Sequence, residues 1–385
     1  MRFVRVLGQV LGVISAVWTA HAQSQYTGDG TPTGLEEELR WKVNRGRFDT
    51  ASENLTRGTA YTDVPATSGP LAPNQDITMA ARHQSEDMAK ANLFQHPTVP
   101  GSLYYNPTTQ PNPWDRMAAE GYSYNYAGEN IAAGYTSSET VYVAWWNSSS
   151  GHRANMYNSS YREIGNGYYY WTNSTYRSYY TMDLGSFSQN CYFTDTLFLD
   201  ANGDGIYQST EAVPGIAIRL LVGGNGLSFY DISSAAGSFA IPIQSVATNA
   251  AVQVVFSNTT AATVSLTIPR DYRNYATVSL APGESRIYGT FVQPPIARNV
   301  GLRDVSPAQV PLVAAQLSIS SVAGAVTLRW TSVSGLTYQP QSTTNFLSWT
   351  SLTNGVLPGT GSDMSYTDTA PAAGAQFYRM VIGQQ

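Results

Sequence analysis

Cysteine, histidine and lysine are scarce in this sequence of 385 residues. The single cysteine, Cys191, excludes an intramolecular disulfide framework, so stability has to come from core burial, with a bound cation as a further source. Lys42 and Lys90 are the only lysines, and the net charge is −5. Because no basic stripe is present, a nucleic-acid partner is not expected.

Long apolar runs are also lacking beyond the first residues. Arg2 and Arg5 precede a largely apolar run over residues 6–17, and Ala20-His21-Ala22 supplies the small residues of a cleavage site. This pattern predicts a signal peptide over residues 1–22 and a secreted product. No later stretch offers about 18 continuous apolar residues, so no membrane span is expected.

Histidine occurs at four positions, and its distribution marks one segment. His21 lies in the predicted leader, so His83, His96 and His152 are the histidines of the mature chain. Because all three fall between residues 83 and 152, this segment is the first place to look for chemistry.

The first 190 residues mix helical and strand patterns. Apolar spacing predicts helices from Leu35 onward, over about 74–93 and over 138–146. Residues 51–74 have the composition of a loop, and strands are predicted at 164–171 and 179–185.

Composition changes after Cys191 to short β-branched segments separated by Gly, Asn and Ser turns. We predict a multidomain chain with an α+β domain over 35–187 and two all-β sandwich domains. The first sandwich spans 192–293, a proline-rich linker spans 294–311, and the second sandwich spans 312–385.

Two imidazoles and a carboxylate form the candidate site of the first domain. Glu129 lies in a Gly-Glu-Asn run that suggests a turn, His152 follows Gly151 and would project from a loop, and His96 ends the second helix. If they converge, they could act as acid and base, or hold a divalent cation such as zinc. Each histidine could equally be a hydrogen-bonded structural group.

Several short motifs in this region occur in a recognisable order. They are Asn44-x-x-Arg47, Ala81-x-His83-x-Ser85-x-x-Met88-Ala89, Phe94-x-His96, Gly128-Glu129-Asn130-Ile131-Ala132, Trp145-x-x-Ser148-x-x-Gly151-His152-Arg153-x-Asn155 and Ile164-Gly165-x-Gly167. Together they resemble the SCP/CAP superfamily of cysteine-rich secretory, antigen 5 and pathogenesis-related 1 proteins.

The resemblance implies an α-β-α sandwich with a large, solvent-open cleft that carries two histidines and two acidic residues. His96, Glu129 and His152 match three of these positions, and the fourth, a glutamate in many members, is Ser148 here. This departure weakens a mechanism that needs two carboxylates. A Ser-His-Glu triad that uses Ser148 is conceivable, but no Gly-x-Ser-x-Gly elbow supports it. His83 is expected to be structural.

The family is linked to sterol or lipid binding, signalling, antimicrobial activity and, occasionally, proteolysis, so three hypotheses stay open. The first is a secreted protein whose cleft binds a small lipid or cell-envelope ligand, with β domains as spacers or adhesion modules. The second is a hydrolase, a peptidase or other metal-assisted enzyme, that uses the same cleft. The third is a purely structural surface adhesin.

A twelve-residue stretch in the first β domain fits the ligand pattern of a calcium loop. Its candidate ligands are Asp200, Asn202, Asp204, the backbone carbonyl of Ile206, Gln208 and Glu211. The flanks are strand-like, and the pattern resembles calcium-stabilised prealbumin-like B domains of bacterial adhesins. The alternative is a polar turn without metal.

The last unit resembles fibronectin-type-III-like modules of secreted bacterial proteins. Trp330, Tyr338 and Trp349 could stack on sugars, but their spacing favours a role in the core.

Overall fold

The computed structural model describes residues 28–384 except 103–104, 107, 109–110, 224–226, 308–316, 323, 333–335, 345–348, 361 and 373–375. The predicted signal peptide lies outside the described residues. No helix in the described part of the chain is both long and apolar enough to cross a membrane.

The first unit contains six helices and four strands among its described residues. The helices are α1 (Gly34–Phe48), α2 (Thr50–Arg57), α3 (Gln75–Ala91), α4 (Pro113–Ala119), α5 (Ser138–Trp146) and α6 (His152–Tyr157). The strands are β1 (Ala72–Pro73), β2 (Tyr126–Ala133), β3 (Glu163–Tyr170) and β4 (Ser178–Ser186). The predicted helices correspond to α1, α3 and α5, and the predicted strands to β3 and β4.

These elements form three layers. The strands pair in the order β1-β3-β4-β2, so β4 is internal and β2 is an edge. Alternate residues of β4 face opposite layers. Tyr180, Met182 and Leu184 pack with α1, α5 and α6 in one cluster, whereas Tyr179 packs in another with Met88 of α3. Glu129 and Asp183, directly opposite in register, lie on the α3 side.

Three local predictions were wrong. Within 51–74, α2 forms because Asp49 accepts a hydrogen bond from Ser52 N and Gly58 ends the helix in the left-handed region. Glu129 lies in strand β2 and not in a turn; Gly128 is required there because a Cβ would lie 2.4 Å from Tyr161 Oη. His152 begins helix α6 rather than a loop.

The second unit is built from strands, with 3₁₀ turns at Ser209–Glu211 and Leu302–Asp304. Its strands are β5 (Tyr192–Thr196), β6 (Ile216–Val222), β7 (Leu227–Ile232), β8 (Ser238–Pro242), β9 (Ala251–Asn258), β10 (Val264–Pro269), β11 (Tyr275–Leu280), β12 (Ser285–Val292) and β13 (Ser306–Pro307). They form a five-stranded sheet, β13-β12-β9-β6-β7, and the pairs β10-β11 and β5-β8 around one hydrophobic cluster.

Part of the predicted linker belongs to this unit. Val300, Leu302 and Val305 are buried in its core, and β13 pairs with β12. This stretch of the predicted linker therefore packs against the second unit, while the domain bounds themselves stay predictions.

The third unit has its own smaller core. Its strands are β14 (Ser318–Val322), β15 (Ala325–Thr331), β16 (Leu336–Thr343), β17 (Thr350–Ser351), β18 (Leu357–Pro358), β19 (Asp363–Asp368) and β20 (Phe377–Gln384). Trp330 and Tyr338 are buried in one cluster, which confirms the core interpretation for both. Trp349 stacks with Arg379, whose guanidinium carbon is 4.2 Å from the ring centroid.

Helix α1 joins the first two units. The Trp41 ring meets the rings of Phe198 and Tyr207, with centroids 5.8 and 6.5 Å apart. Arg40, fully buried, donates to the carbonyl of Asp195 at 3.0 Å and to Thr196 Oγ1 at 3.1 Å. The same helix is thus a core element of both units.

Candidate functional site

His96 and Glu129 form the first half of the site. Glu129 is almost fully buried, whereas the His96 side chain is 49% exposed. His96 Nδ1 donates to Glu129 Oε1 at 2.7 Å, since a carboxylate only accepts. The buried Arg116 of α4 pairs with Glu129 Oε2 and donates to the carbonyl of His96 at 2.9 Å. Arg116 therefore fixes both the carboxylate and the loop that carries the histidine.

His152 and Ser148 form the second half. Ser148 Oγ lies 2.8 Å from His152 Nδ1, and Ser150 N donates to the same hydroxyl at 3.1 Å. In the neutral ring with its proton on Nε2, the Ser148 hydroxyl donates to Nδ1. Each predicted histidine thus has its own partner, and Glu129 contacts His96, not His152.

His96 influences the titration of His152. Partial burial lowers the pKa of His152 below its usual value, and the charge of His96 lowers it further. Both rings are bonded through Nδ1, and no hydrogen bond to either Nε2 is found among the described residues, so these atoms could meet a ligand. The site offers an acceptor at His96 and a donor at His152, while cation binding in the cleft stays a prediction.

Two asparagines hold the start of helix α6 against strand β2. Asn130 Nδ2 donates to the carbonyl of His152 at 3.0 Å, and Asn155 Nδ2 donates to Asn130 Oδ1 at 3.0 Å. The ring of Trp145 lies 6.4 Å from that of His152, centroid to centroid. These contacts explain why the Gly-Glu-Asn and Gly-His-Arg-x-Asn motifs occur together.

An apolar groove runs from His152 along the edge of the sheet. Its volume is about 360 Å³, within the range of small-molecule sites. The lining residues are Phe94, Ile131, Ala132, Ala133, Tyr135, Ala144, Trp145, Ser148, His152 and Tyr176. Phe94 and Tyr176 remain 46% and 49% exposed although their rings touch, with centroids 6.1 Å apart. The groove is therefore apolar along its length and polar at one end.

Sequence reasoning missed Asp183. This residue of the central strand is fully buried beside Glu129. Burial and the charge of Glu129 raise the pKa of Asp183 well above the usual carboxyl range, against a smaller opposing effect of Arg116. The signal was available, because an aspartate in the run Tyr-Tyr-Thr-Met-Asp-Leu is unusual for a buried strand.

His83 lies apart from the cleft pair. Its Nδ1 is 2.7 Å from Glu120 Oε1 and the residue is nearly buried. Burial raises the pKa of the neighbouring Asp87 to about 6, and the charge of His83 opposes this shift. These contacts fit the expected structural role of His83.

In the predicted calcium loop, N–H groups of the loop donate hydrogen bonds to the loop's own carboxylate oxygens. Asp200 Oδ2 accepts from Gly205 N at 2.9 Å, and Asp204 Oδ2 accepts from Gln208 Nε2 at 2.9 Å. Glu211 Oε1 accepts from Ala201 N at 2.9 Å, which closes the loop. The predicted side-chain ligands thus share one loop, and this donor set suits calcium. Calcium binding itself stays a prediction.

The matches to known proteins include the first unit of the chain. The model of the cysteine-rich secretory protein family, CAP, matches residues 43–184. The uncharacterized protein YkwD of Bacillus subtilis (strain 168) is 39% identical over 99 residues, 26% of this chain and 35% of that protein. The chain thus spans about a third of the length of this curated relative.

Two solved structures are similar to part of this chain. One is an extracellular protein containing an SCP domain from Bacillus anthracis str. Ames, at 24% identity and a TM-score of 0.29, covering 40% of this chain and 41% of that one. The other is an outer surface protein from Borrelia burgdorferi, at 17% identity and a TM-score of 0.29, covering 39% of this chain and 90% of that one. The family match establishes that this chain contains a CAP domain, followed by a β-rich part.

Proposed function

We propose that the cleft of the CAP domain binds a small lipid or cell-envelope-derived ligand on a secreted protein. The apolar groove carries this proposal, because it keeps two aromatic rings half exposed next to a histidine with a free ring nitrogen. The apolar part of a ligand would lie along Phe94 and Tyr176. A hydroxyl or carboxylate at its end would accept a hydrogen bond from His152 Nε2.

The two β units would then act as spacers or adhesion modules. The loop 200–211 would hold calcium through side-chain oxygens of Asp200, Asn202, Asp204, Gln208 and Glu211 and through the carbonyl of Ile206. Bound calcium would supply charge that stabilises the loop, which contacts helix α1 through Ser209 N and Glu38 Oε1 at 2.7 Å.

A hydrolase is the second candidate, and the hydrogen bond between Ser148 and His152 favours it. In that case Ser148 Oγ would attack an acyl carbon while His152 Nδ1 takes its proton, and the bond from that carbon to the alcohol or amine would break as His152 returns the proton to this leaving group. Among the residues that the structure describes, no carboxylate is hydrogen-bonded to the other ring nitrogen of His152, and Glu129 is bound to His96 instead. This arrangement supports binding better than catalysis.

One variant separates the two candidates. A dansyl-labelled fatty acid serves as the binding probe, and a nitrophenyl ester of the same acid serves as the hydrolysis probe. For a binding protein, His152→Ala weakens retention of the fatty acid, and the wild type releases no nitrophenol. Turnover of the ester that His152→Ala abolishes, with the fold kept, would establish the hydrolase instead.

A further inference from the structure

A second carboxyl group lies behind the cleft, where sequence reasoning found none. Asp183 of β4 is directly opposite Glu129 of β2 and Gly165 of β3 in the sheet. Helix α3 covers this position closely, since a Cβ on Gly165 would lie 2.2 Å from Thr78 N. Asp183 is therefore sealed from solvent under a helix backbone.

The surroundings of Asp183 do not support a negative charge. The residue is 0% exposed, and neither carboxyl oxygen has a hydrogen-bond donor among the described residues. The charged groups that act on it are Glu129 of β2 and Arg116 of α4. Arg116 already pairs with Glu129. An ionised carboxylate in this place would be desolvated, without a donor and beside a like charge.

We infer that Asp183 is a positioning residue of the cleft, a neutral acid whose hydroxyl donates to Glu129 and holds the carboxylate that orients His96. Glu129 then has three hydrogen-bond partners. His96 and Arg116 occupy its two oxygens, and Asp183, which faces it from the neighbouring strand, would add a third donor. The two carboxyl groups share one negative charge, which Arg116 balances.

Asp183 is then the second acidic residue that the cleft lacks at Ser148, but in a different place and state. Ser148 positions His152 from the groove side, while Asp183 positions His96 through Glu129 from the core side. The effect of Asp183 on ligand retention rests on the proposed function, whereas its protonation state does not.

Infrared spectroscopy of the full chain detects the proton directly. At pH 8 Asp87, with a pKa of about 6, is ionised, so it does not contribute to the protonated carboxyl band. We expect a C=O stretch of a protonated carboxyl in the wild type that is lost in Asp183→Asn. Because burial also raises the pKa of Glu37, the band is taken from the difference between the wild-type and Asp183→Asn spectra, and a difference spectrum without it would overturn the inference.

A second variant tests the link to Glu129. Glu129→Gln removes the like charge and leaves Arg116 without its partner, so Asp183 ionises and the band disappears in this variant too. A band of unchanged intensity in Glu129→Gln would show that the proton is held independently of Glu129 and would overturn the pairing.

Retention of the dansyl-labelled fatty acid tests the positioning role. Asp183→Asn keeps a neutral donor of the same shape and should bind like the wild type, whereas Asp183→Ala should bind about tenfold more weakly. Equal binding by all three proteins would overturn the positioning role. If the wild type binds no probe, the proposed function fails, and the infrared band still decides the state of Asp183.

Discussion

His96 donates a hydrogen bond of 2.7 Å to Glu129, and this bond joins a solvent-exposed histidine to a carboxylate in the protein interior. Almost half of the histidine side chain is exposed, while only 1% of the glutamate side chain is. The buried carboxylate needs a fixed positive partner in the interior. Arg116 supplies it, so the orientation of His96 depends on a residue that never reaches the cleft.

Replacement of Arg116 should therefore destabilise the fold. Arg116→Met keeps most of the apolar stem but removes the buried cation that balances the charge of Glu129, which costs about 3–5 kcal/mol. Urea unfolding measures the change. Arg298→Met is the matched control, because Arg298 is half exposed and its contact with Asp304 is 3.4 Å. Equal losses in both variants would contradict the role of Arg116.

Ser148 should matter for ligand orientation more than for stability. Ser148→Ala removes the hydrogen bond to His152 Nδ1 and should weaken retention of the dansyl-labelled fatty acid severalfold, with about 1 kcal/mol lost in unfolding free energy. Fluorescence titration measures the affinity. Ser149→Ala, at an exposed neighbouring position, serves as the control and should bind as the wild type does. Unchanged affinity in Ser148→Ala would exclude this role.

The sequence predicted the regular elements of the first unit better than it predicted the site contacts. Helix α5 was predicted with its observed bounds because Ser137 caps it and its apolar residues follow a helical period. Strand β2 was missed because Gly128 and Asn130 disfavour a strand locally. Pairing with β4 decides the conformation there.

The contacts of Glu129 could not be predicted from the sequence, because they too depend on how the strands pair. Arg116 and Asp183 reach it only after β2 has paired with β4 and α4 has packed on the sheet. By contrast, Ser148 and His152 are close in sequence, and their hydrogen bond follows from the short turn between α5 and α6.

The stability of the protein should depend on the protonation of His152. Its pKa is lowered from the usual 6.5, first by burial and then by the charge of His96. As the pH falls through 6.5, the unfolded chain takes up the proton more readily than the folded one, so the unfolding free energy decreases. The loss is complete below the folded-state pKa.

His152→Gln removes this contribution. Unfolding measured between pH 7.5 and 5 should show a smaller loss of stability in the variant than in the wild type. Parallel pH profiles for the two proteins would mean that His152 contributes nothing to the pH dependence.

Removal of calcium should destabilise the protein through the loop 200–211. Saturating calcium at 100 times its Kd stabilises a folded state by about 2.7 kcal/mol, so EDTA should lower the Tm by several degrees. Asp204→Ala should abolish the EDTA effect, whereas Asp363→Ala, an exposed acidic position in the third unit, should keep it. The absence of an EDTA effect in the wild type would refute calcium binding.

Native mass spectrometry of the full chain, isolated without detergent from the cells that make it, tests the binding proposal most directly. We expect the wild type to carry a small apolar ligand that Tyr176→Ala, which opens the groove, retains less well. Tyr126→Ala, an exposed tyrosine of the same domain outside the groove, should carry the ligand at the wild-type level. A wild-type mass equal to that of the bare chain, or equal ligand loads in all three proteins, would contradict a ligand-binding cleft.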